Sequence, residues 1–407
     1  MTSTTRIDWV GEHCRLLAAI AAEFAGTRPF AGLTIGTGIH LEAKTVALLR
    51  TLQAGGANVV ATGNLNTTQP EAVDVLRADG VTVIGDATKD RDVHRVHQRQ
   101  VLAARPDLIL DNGGELFTGY LADPYPGLRG GTEETTSGRM LLAPLRAELN
   151  RPILVINDSP IKQFAENEHA VGQSALESLL RFTNKVTSGE QVTVFGYGAC
   201  GRGVADNFRG AHARVSVVDI DPVTRLRAHL DGFATPPRDT AIAEADVIIT
   251  VTGGRDVLTA ADLPLLRDGV ILANAGHFPV EIDADGLRDD ERIVRKTDYA
   301  DDLTTLELAD GRRITLIARG HMFNLAGPRA LGNSIESMDL GFALQARCLA
   351  AVATGQVGAD RCVVPVPSDI DAAVATAYLD RKYPSGDRRC PAASSSTATP
   401  ATTTRSR

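Results

Sequence analysis

Residues 193–203 read TVFGYGACGRG, with glycines spaced G-x-G-x-x-G at Gly196, Gly198 and Gly201 directly after an apolar run. Such spacing lets the backbone approach a pyrophosphate, while the free N–H groups opening the next helix face its oxygens. The following apolar run, RVSVVDID, ends on Asp219. A carboxylate there accepts from both ribose hydroxyls of an adenosine and repels a 2′-phosphate. The pattern therefore predicts NAD rather than NADP, with flavin a lesser competitor. Lys162 and Glu166 stand four residues apart, the spacing of an ion pair along one helical face. His40 and His277, each taken alone, read as structural as readily as functional.

The elements that must position these residues alternate along the chain. AGLTIGTGI, NVVATG, VTVIG, DLILDNGG and PILVIND read as strands between 31 and 160, separated by helical stretches such as KTVALLRTLQAGG and EAVDVLRADG. Residues 171–188 read as one long amphipathic helix, and from 191 the alternation restarts with QVTVFG, RVSVVDID, ADVIITVTGG, GVILANAG and RRITLIARG. Strand–helix alternation predicts α/β architecture with two doubly wound domains, a Rossmann NAD-binding domain inserted in a discontinuous substrate-binding domain. The expected division is 1–172 for the first substrate-domain segment, 173–328 for the Rossmann domain, 329–385 for the return segment and 386–407 for a disordered Ser/Thr/Ala-rich tail. Polar residues ending the first strands, among them His40, Asn64, Asp111 and Asn157, would gather along one sheet edge.

Composition narrows the function. The 407 residues are 43% hydrophobic and carry a net charge of −8, without a basic stripe, so a nucleic-acid polymer is not an expected partner. No apolar run suits a membrane span and the N-terminus lacks an export signal, which gives a cytoplasmic expectation. Cys14, Cys200, Cys348, Cys362 and Cys390 form no C-x-x-C pair, so neither a metal site nor a disulfide is expected.

Several segments in one order resemble the S-adenosylhomocysteine hydrolases: DNGGELF, GGTEETTSG, INDSPIK with EN after it, GYGACGRG with DIDP, TVTGG, NAGHFPVEID and GRRITLIARGHMFNL. The resemblance spans about residues 28–380. It implies tightly held NAD, a homo-oligomer (tetramer or dimer) and a nucleoside substrate. The implied chemistry oxidises a ribose 3′-hydroxyl, removes the C4′ proton made acidic by the new ketone, eliminates the 5′ substituent, adds water and returns the hydride. By position, Lys162 and Glu166 match the pair at the 3′-oxygen, with Glu where the family has Asp, and Glu134 matches a glutamate on the ribose hydroxyls. Thr135, Thr136, Ser137, Asn167, Thr252, Asn274 and Asn324 match cofactor contacts, His277 a histidine between sugar and nicotinamide, and His40 one at the 5′ leaving group. Asp111 joins the substrate-binding set through its place in the DNGGELF segment.

Departures cluster on the substrate. Asn112 stands where the family has a second aspartate, Glu42 and Lys44 replace the threonine and the adenine-reading glutamate of its H-M-T-x-E-T segment, and Asn333 replaces a base-contacting histidine. Lys382 and Tyr383 lie too early to act as the family's cofactor-reaching tail. Intact cofactor motifs beside an altered substrate side predict a paralogue that stops halfway. Such a nucleoside dehydratase would eliminate water from an exocyclic CH2OH to leave an exocyclic alkene, as on a ketohexose nucleoside such as psicofuranine. The alternatives are an S-adenosylhomocysteine or S-inosylhomocysteine hydrolase, since Lys44 favours a carbonyl oxygen over an amino group, and a non-catalytic NAD-loaded binding protein.

Overall fold

The computed structural model describes residues 5–299, 302–327 and 329–384, so the tail expected at 386–407 lies outside the described residues. Two seven-stranded sheets organise the chain. The first takes β1 (Thr34–Ile39), β2 (Asn58–Gly63), β3 (Thr82–Ile84), β4 (Leu108–Asp111), β5 (Gly130–Glu133) and β6 (Ile153–Val155). The second takes β7 (Gln191–Phe195), β8 (Arg214–Val218), β9 (Val247–Thr250), β10 (Ile271–Asn274), β11 (Ile293–Tyr299), β12 (Leu303–Leu308) and β13 (Arg313–Ile317). The chain then returns to the first sheet as β14 (Cys362–Pro365).

The first sheet runs β14-β6-β5-β4-β1-β2-β3 and is parallel throughout. The second runs β11-β12-β13-β10-β9-β7-β8, its β8-to-β13 part parallel and β12 and β11 added antiparallel. The runs LILD, VIIT and ILAN are buried at every position, the mark of strands covered by helices on both faces. The sequence pattern missed β5 and β14, and it also missed β11 and β12. β5 is GGTE, too glycine-rich and polar to read as a strand, and β11, IVRKTDY, is an exposed edge whose charged residues break the alternation of a strand.

Register brings the strand ends level. Gly38 pairs with Asp111, and Asp111 with Glu133, so His40, Asn112 and Glu134 leave the first sheet side by side. Phe195 and Asn274 both pair with Thr250, which levels the second sheet in the same way. In each sheet the strand order reverses beside the first strand, at β4/β1 and at β9/β7. Such switch points open a crevice beyond the carboxyl ends of the strands.

The helix Ile335–Ala353 is buried along most of its length and ties the returning chain to the first unit. Its Asp339 carboxylate accepts the backbone N–H groups of Leu16 and Leu17 at 2.7 and 2.9 Å, capping the helix Arg15–Thr27, whose own cap residue Cys14 supplies no side-chain bond.

Candidate active site

The two crevices face each other across a cavity of about 490 Å³. His40, Asn112, Glu134 and Asn157 enter it from the ends of β1, β4, β5 and the turn after β6; Gly198, Thr252 and His277 enter from the second sheet.

Lys162 and Glu166 come from Lys162–Ala170, a π-helical segment that continues into the α-helix Val171–Thr183. The sequence predicted one α-helix over 171–188; the helix is there over Val171–Thr183, ended by Asn184 in the left-handed conformation, and the wider π turn, a geometry common at functional sites, precedes it. Lys162 Nζ lies 3.1 Å from Glu134 Oε1 and also bonds Glu166. All three side chains are at most 7% exposed. Burial opposes the charge on Lys162, but Glu134 and Glu166 outweigh it and raise its pKa. Burial raises the pKa of Glu166 against the pull of Lys162. The chain of bonds continues outward. Asn112 Nδ2 donates to Glu134 Oε2 at 2.8 Å, and Asn64 Nδ2 donates to Asn112 Oδ1 at 2.9 Å. A buried cation thus sits between two carboxylates, with a line of amides fixing one of them.

The two histidine rings meet edge to face, their centroids 5.7 Å apart. His40 Nδ1 is 2.6 Å from Thr67 Oγ1, whose hydroxyl faces Asn64 O at 3.3 Å. Thr67 donates to that carbonyl and so accepts Nδ1–H, which leaves His40 Nε2 as a free base. Burial first, then His277 and Lys162, hold His40 down to about 3. Burial likewise lowers His277. Both rings are neutral at neutral pH.

At the far end of the cavity, Lys44 and Glu42 pair at 2.8 Å, with Lys44 Nζ donating to Leu331 O at 2.8 Å. Both are under 7% exposed and line the cavity with Leu325, Met338 and Phe342. An ammonium has three donors and no acceptor. With two directed at Glu42 and Leu331, the third is left for a ligand. Asn333 is held from the side, accepting from Ser174 Oγ at 3.0 Å.

The nucleotide loop has the expected build. Gly196 has φ +97°, and a Cβ there would meet Val251 O at 2.7 Å. Gly201 packs on Gly196, where a Cβ would lie 2.0 Å from its carbonyl oxygen. Gly198 opens the helix Ala199–Gly210 with nothing within 4 Å of a Cβ, room that a phosphate needs. Asn324 lines the cavity, its Nδ2 bonded to Ser174 Oγ at 3.1 Å and its buried Oδ1 without a partner, an acceptor awaiting a donor such as a carboxamide. These features fit a dinucleotide.

Models of two parts of one family match the chain: S-adenosyl-L-homocysteine hydrolase over residues 5–124 and its NAD-binding domain over 167–330. The S-inosyl-L-homocysteine hydrolase of Methanopyrus kandleri is 40% identical over 383 residues, covering 92% of this chain and 89% of that one. The chain belongs to the S-adenosyl-L-homocysteine hydrolase family. The adenosylhomocysteinase of Thermotoga maritima is 39% identical over 385 residues, covering 93% and 94% of the two chains. The S-inosyl-L-homocysteine hydrolase of Methanothermobacter thermautotrophicus is 37% identical over 382 residues, covering 92% and 90%. As a member of this family the protein is an enzyme with NAD as its cofactor.

Within this family frame, not every expected residue faces the cavity. Asp111 does not line it. Its carboxylate accepts from the backbone N–H groups of Asn112 and Phe117 at 3.0 and 2.9 Å, fixing the turn into the helix Glu115–Ala122. Asn274 is fully buried and saturated, accepting from Thr250 Oγ1 and Gly276 N and donating to the carbonyls of Gly276, Phe278 and Gly320. It shapes the turn that presents His277 and does not offer a hydrogen bond of its own. Asp219, half-buried below the glycine loop, accepts Tyr197 N and Asp221 N at 2.8 and 2.9 Å. Thr135, Thr136, Ser137 and Asn167 line the cavity, with Asn167 Nδ2 donating to Asn157 Oδ1 at 2.9 Å.

Two glutamates escaped the sequence reading. Glu133 accepts the N–H groups of Gly113, Gly114 and Thr135 and the Thr135 hydroxyl. Glu281 accepts Thr252 N, Thr252 Oγ1 and Gly253 N, all at 2.8 Å. Both shape loops that line the cavity. The signal for Glu133 was the alternation of a strand, which turns neighbours Glu133 and Glu134 to opposite sides. Among the described residues no cluster suits a metal ion, and no helix is long and apolar enough to cross a membrane.

Proposed function

We propose that the protein hydrolyses a 5′-thioether of a nucleoside, S-inosyl-L-homocysteine or a close relative, to the free nucleoside and the amino-acid thiol. The observation that carries this reading is a second cavity of about 280 Å³ that opens past His40, Asn112 and His277. These three residues, with Met322, line both cavities, and on this reading the second space takes what is attached beyond the sugar. A water molecule leaving from C5′ has no use for that volume, whereas a thiol with an amino-acid tail does. The dehydratase expected from the sequence departures is thus the weaker reading, in line with relatives named as homocysteine-thioether hydrolases. The hypoxanthine base follows from Lys44, whose free proton suits a carbonyl O6 and opposes an amino group, with Glu42 beside it to accept N1–H.

Bound NAD supplies a hydride acceptor for the sugar carbon and gives the hydride back at the end. Lys162, held charged by Glu134 and Glu166, is placed to stabilise the oxyanion that forms as the 3′-hydroxyl loses its proton, and its contact Glu166, raised by burial, is the group that takes that proton. Glu134, fixed by Asn112 and Lys162, is placed for the ribose hydroxyls. His40 Nε2, a free base at the seam of the two cavities, takes the C4′ proton and hands it to the sulfur as the C5′–S bond breaks; it then takes a proton from the entering water and returns it to C4′. Asn112 lends no carboxylate to that relay, which is the one observation favouring a reaction that stops at the alkene.

The test is to incubate the holoprotein with S-inosyl- and S-adenosyl-L-homocysteine, following thiol release and the nucleoside by mass. Thiol and inosine, faster from the inosyl compound, support the proposal. Loss of water from a nucleoside with a free exocyclic CH2OH, and no thiol from either thioether, would establish the dehydratase instead.

A further inference from the structure

The second cavity carries a charge pattern that neither the oxidation step nor its volume requires. Arg91, Arg95 and Arg255 line it, against one carboxylate, Glu115. Arg95 is paired with Asp92 at 3.0 Å. Glu115 is engaged by His94 Nε2 at 3.3 Å and by Gln98. Arg91 and Arg255 have no carboxylate partner among the described residues; Arg91 only reaches Pro279 O at 3.5 Å. They arise from separate halves of the molecule, Arg91 from the first turn of the helix Arg91–Ala103 beside the first sheet, Arg255 from the loop after β9. The local field is positive enough to act on a neighbour. His321, in the same lining, is held down to about 4 by burial first and then by Lys89 and Arg91. Two unpaired guanidiniums converging from two elements on a shared space make a site for a fork of oxygens.

We propose that this cavity is an anion-binding exit chamber, in which Arg91 and Arg255 together hold the negatively charged end of the group that leaves C5′. The inference rests on the oxidation–elimination reading above and adds a selection rule to it: the substituent must carry an anion. A carboxylate on an amino-acid thiol and a phosphate ester share that chemistry. Glu115 offers an acceptor to an ammonium, which suits the zwitterionic end of an amino acid.

The experiment compares the holoprotein with the variants Arg91→Gln, Arg255→Gln and the double variant. On S-inosyl-L-homocysteine the double variant should raise KM about ten- to hundred-fold, the range for losing hydrogen bonds to a charged group. That rise should exceed, by tenfold or more, any change in KM for inosine, read as reduction of the bound NAD. Equal effects on both substrates would make the arginines structural and overturn the proposal. Calorimetry supplies a readout that needs no turnover, with L-homocysteine and inorganic phosphate each titrated into wild type and double variant. Whichever ligand binds at least tenfold more weakly to the variant identifies the anion, carboxylate or phosphate. Binding of neither, or binding unaltered in the variant, overturns the chamber even where thiol release upholds the hydrolase reading. Variant-sensitive binding without thiol release keeps the chamber and rejects the hydrolase.

Discussion

Replacing Lys162 by Met removes a cation enclosed by two carboxylates. Lys162, Glu134 and Glu166 are 4%, 4% and 5% exposed, so water cannot take over the role of the ammonium. Breaking a buried pair from one side costs about 3–5 kcal/mol, most of it from the charge left behind. Lys162→Met should therefore lower unfolding stability by about that much at pH 7. The sign with pH follows from the carboxyls. Burial already holds the folded pKa of Glu166 above that of the unfolded chain, and without Lys162 nothing offsets it, so the lost stability returns as pH falls through the folded value. The double variant Lys162→Met/Glu166→Gln should recover part of the stability at pH 7, because one stranded charge is gone, and none of the activity. The catalytic loss should be about 10²–10³-fold in the rate at which inosine reduces bound NAD, the usual worth of one donor to a developing oxyanion. Denaturant midpoints at pH 5 and pH 7 read the first effect, and stopped-flow absorbance of reduced nicotinamide reads the second. A Lys162→Met protein that matches wild type in both midpoint and reduction rate would refute the assignment of a buried, working lysine.

Three further outcomes follow from the geometry. The pair Glu42→Gln with Lys44→Met removes both buried charges together, and it should cut the preference for inosyl over adenosyl thioether about tenfold or more, measured as the ratio of kcat/KM values. Gly201→Ala places a Cβ 2.0 Å from Gly196 O, a backbone atom that cannot retreat, so the variant should purify with little nicotinamide when its cofactor content is assayed after denaturation. His40, held to about 3 mainly by burial, refuses a proton that the unfolded chain binds below its ordinary value of about 6.5. Its contribution to stability is lost as pH falls from about 6.5 to about 3, and His40→Gln should lack that one-proton slope in denaturation series across the window.

Much of this was legible because glycine spacing and apolar runs have few physical causes. Gly196 and Gly198 fall between β7 and its helix and Gly201 in the first turn of that helix, as the pattern required, since only a strand–turn–helix uses those glycines at once. Lys162 and Glu166 do share a helical face, although the turn between them is wider than an α-helix. What stayed hidden depends on partners far along the chain. Nothing local to Asn274 tells that its amide is saturated by Gly276, Phe278 and Gly320. Nothing local to Asp111 tells that a helix start consumes its carboxylate. Glu42 and Lys44 stand two residues apart, but the carbonyl of Leu331 that joins their pair lies far along the chain and leaves no local signal. The antiparallel edge β11–β12 escaped because its exposed charges mask the period of a strand. The second cavity, on which the proposal of a bulky leaving group rests, is made by residues spread from His40 to Met322 and has no signature in any one segment.

The central claim is that a sugar carbon lends its hydride to a resident dinucleotide and receives it back. Mixing the holoprotein with S-inosyl-L-homocysteine carrying deuterium at C3′ tests it most directly, with nicotinamide absorbance followed in time and the product nucleoside weighed. The account predicts a transient rise of reduced nicotinamide, slowed by the label, and a product that retains the deuterium. Thiol release without any transient, at a rate indifferent to the label, would contradict it.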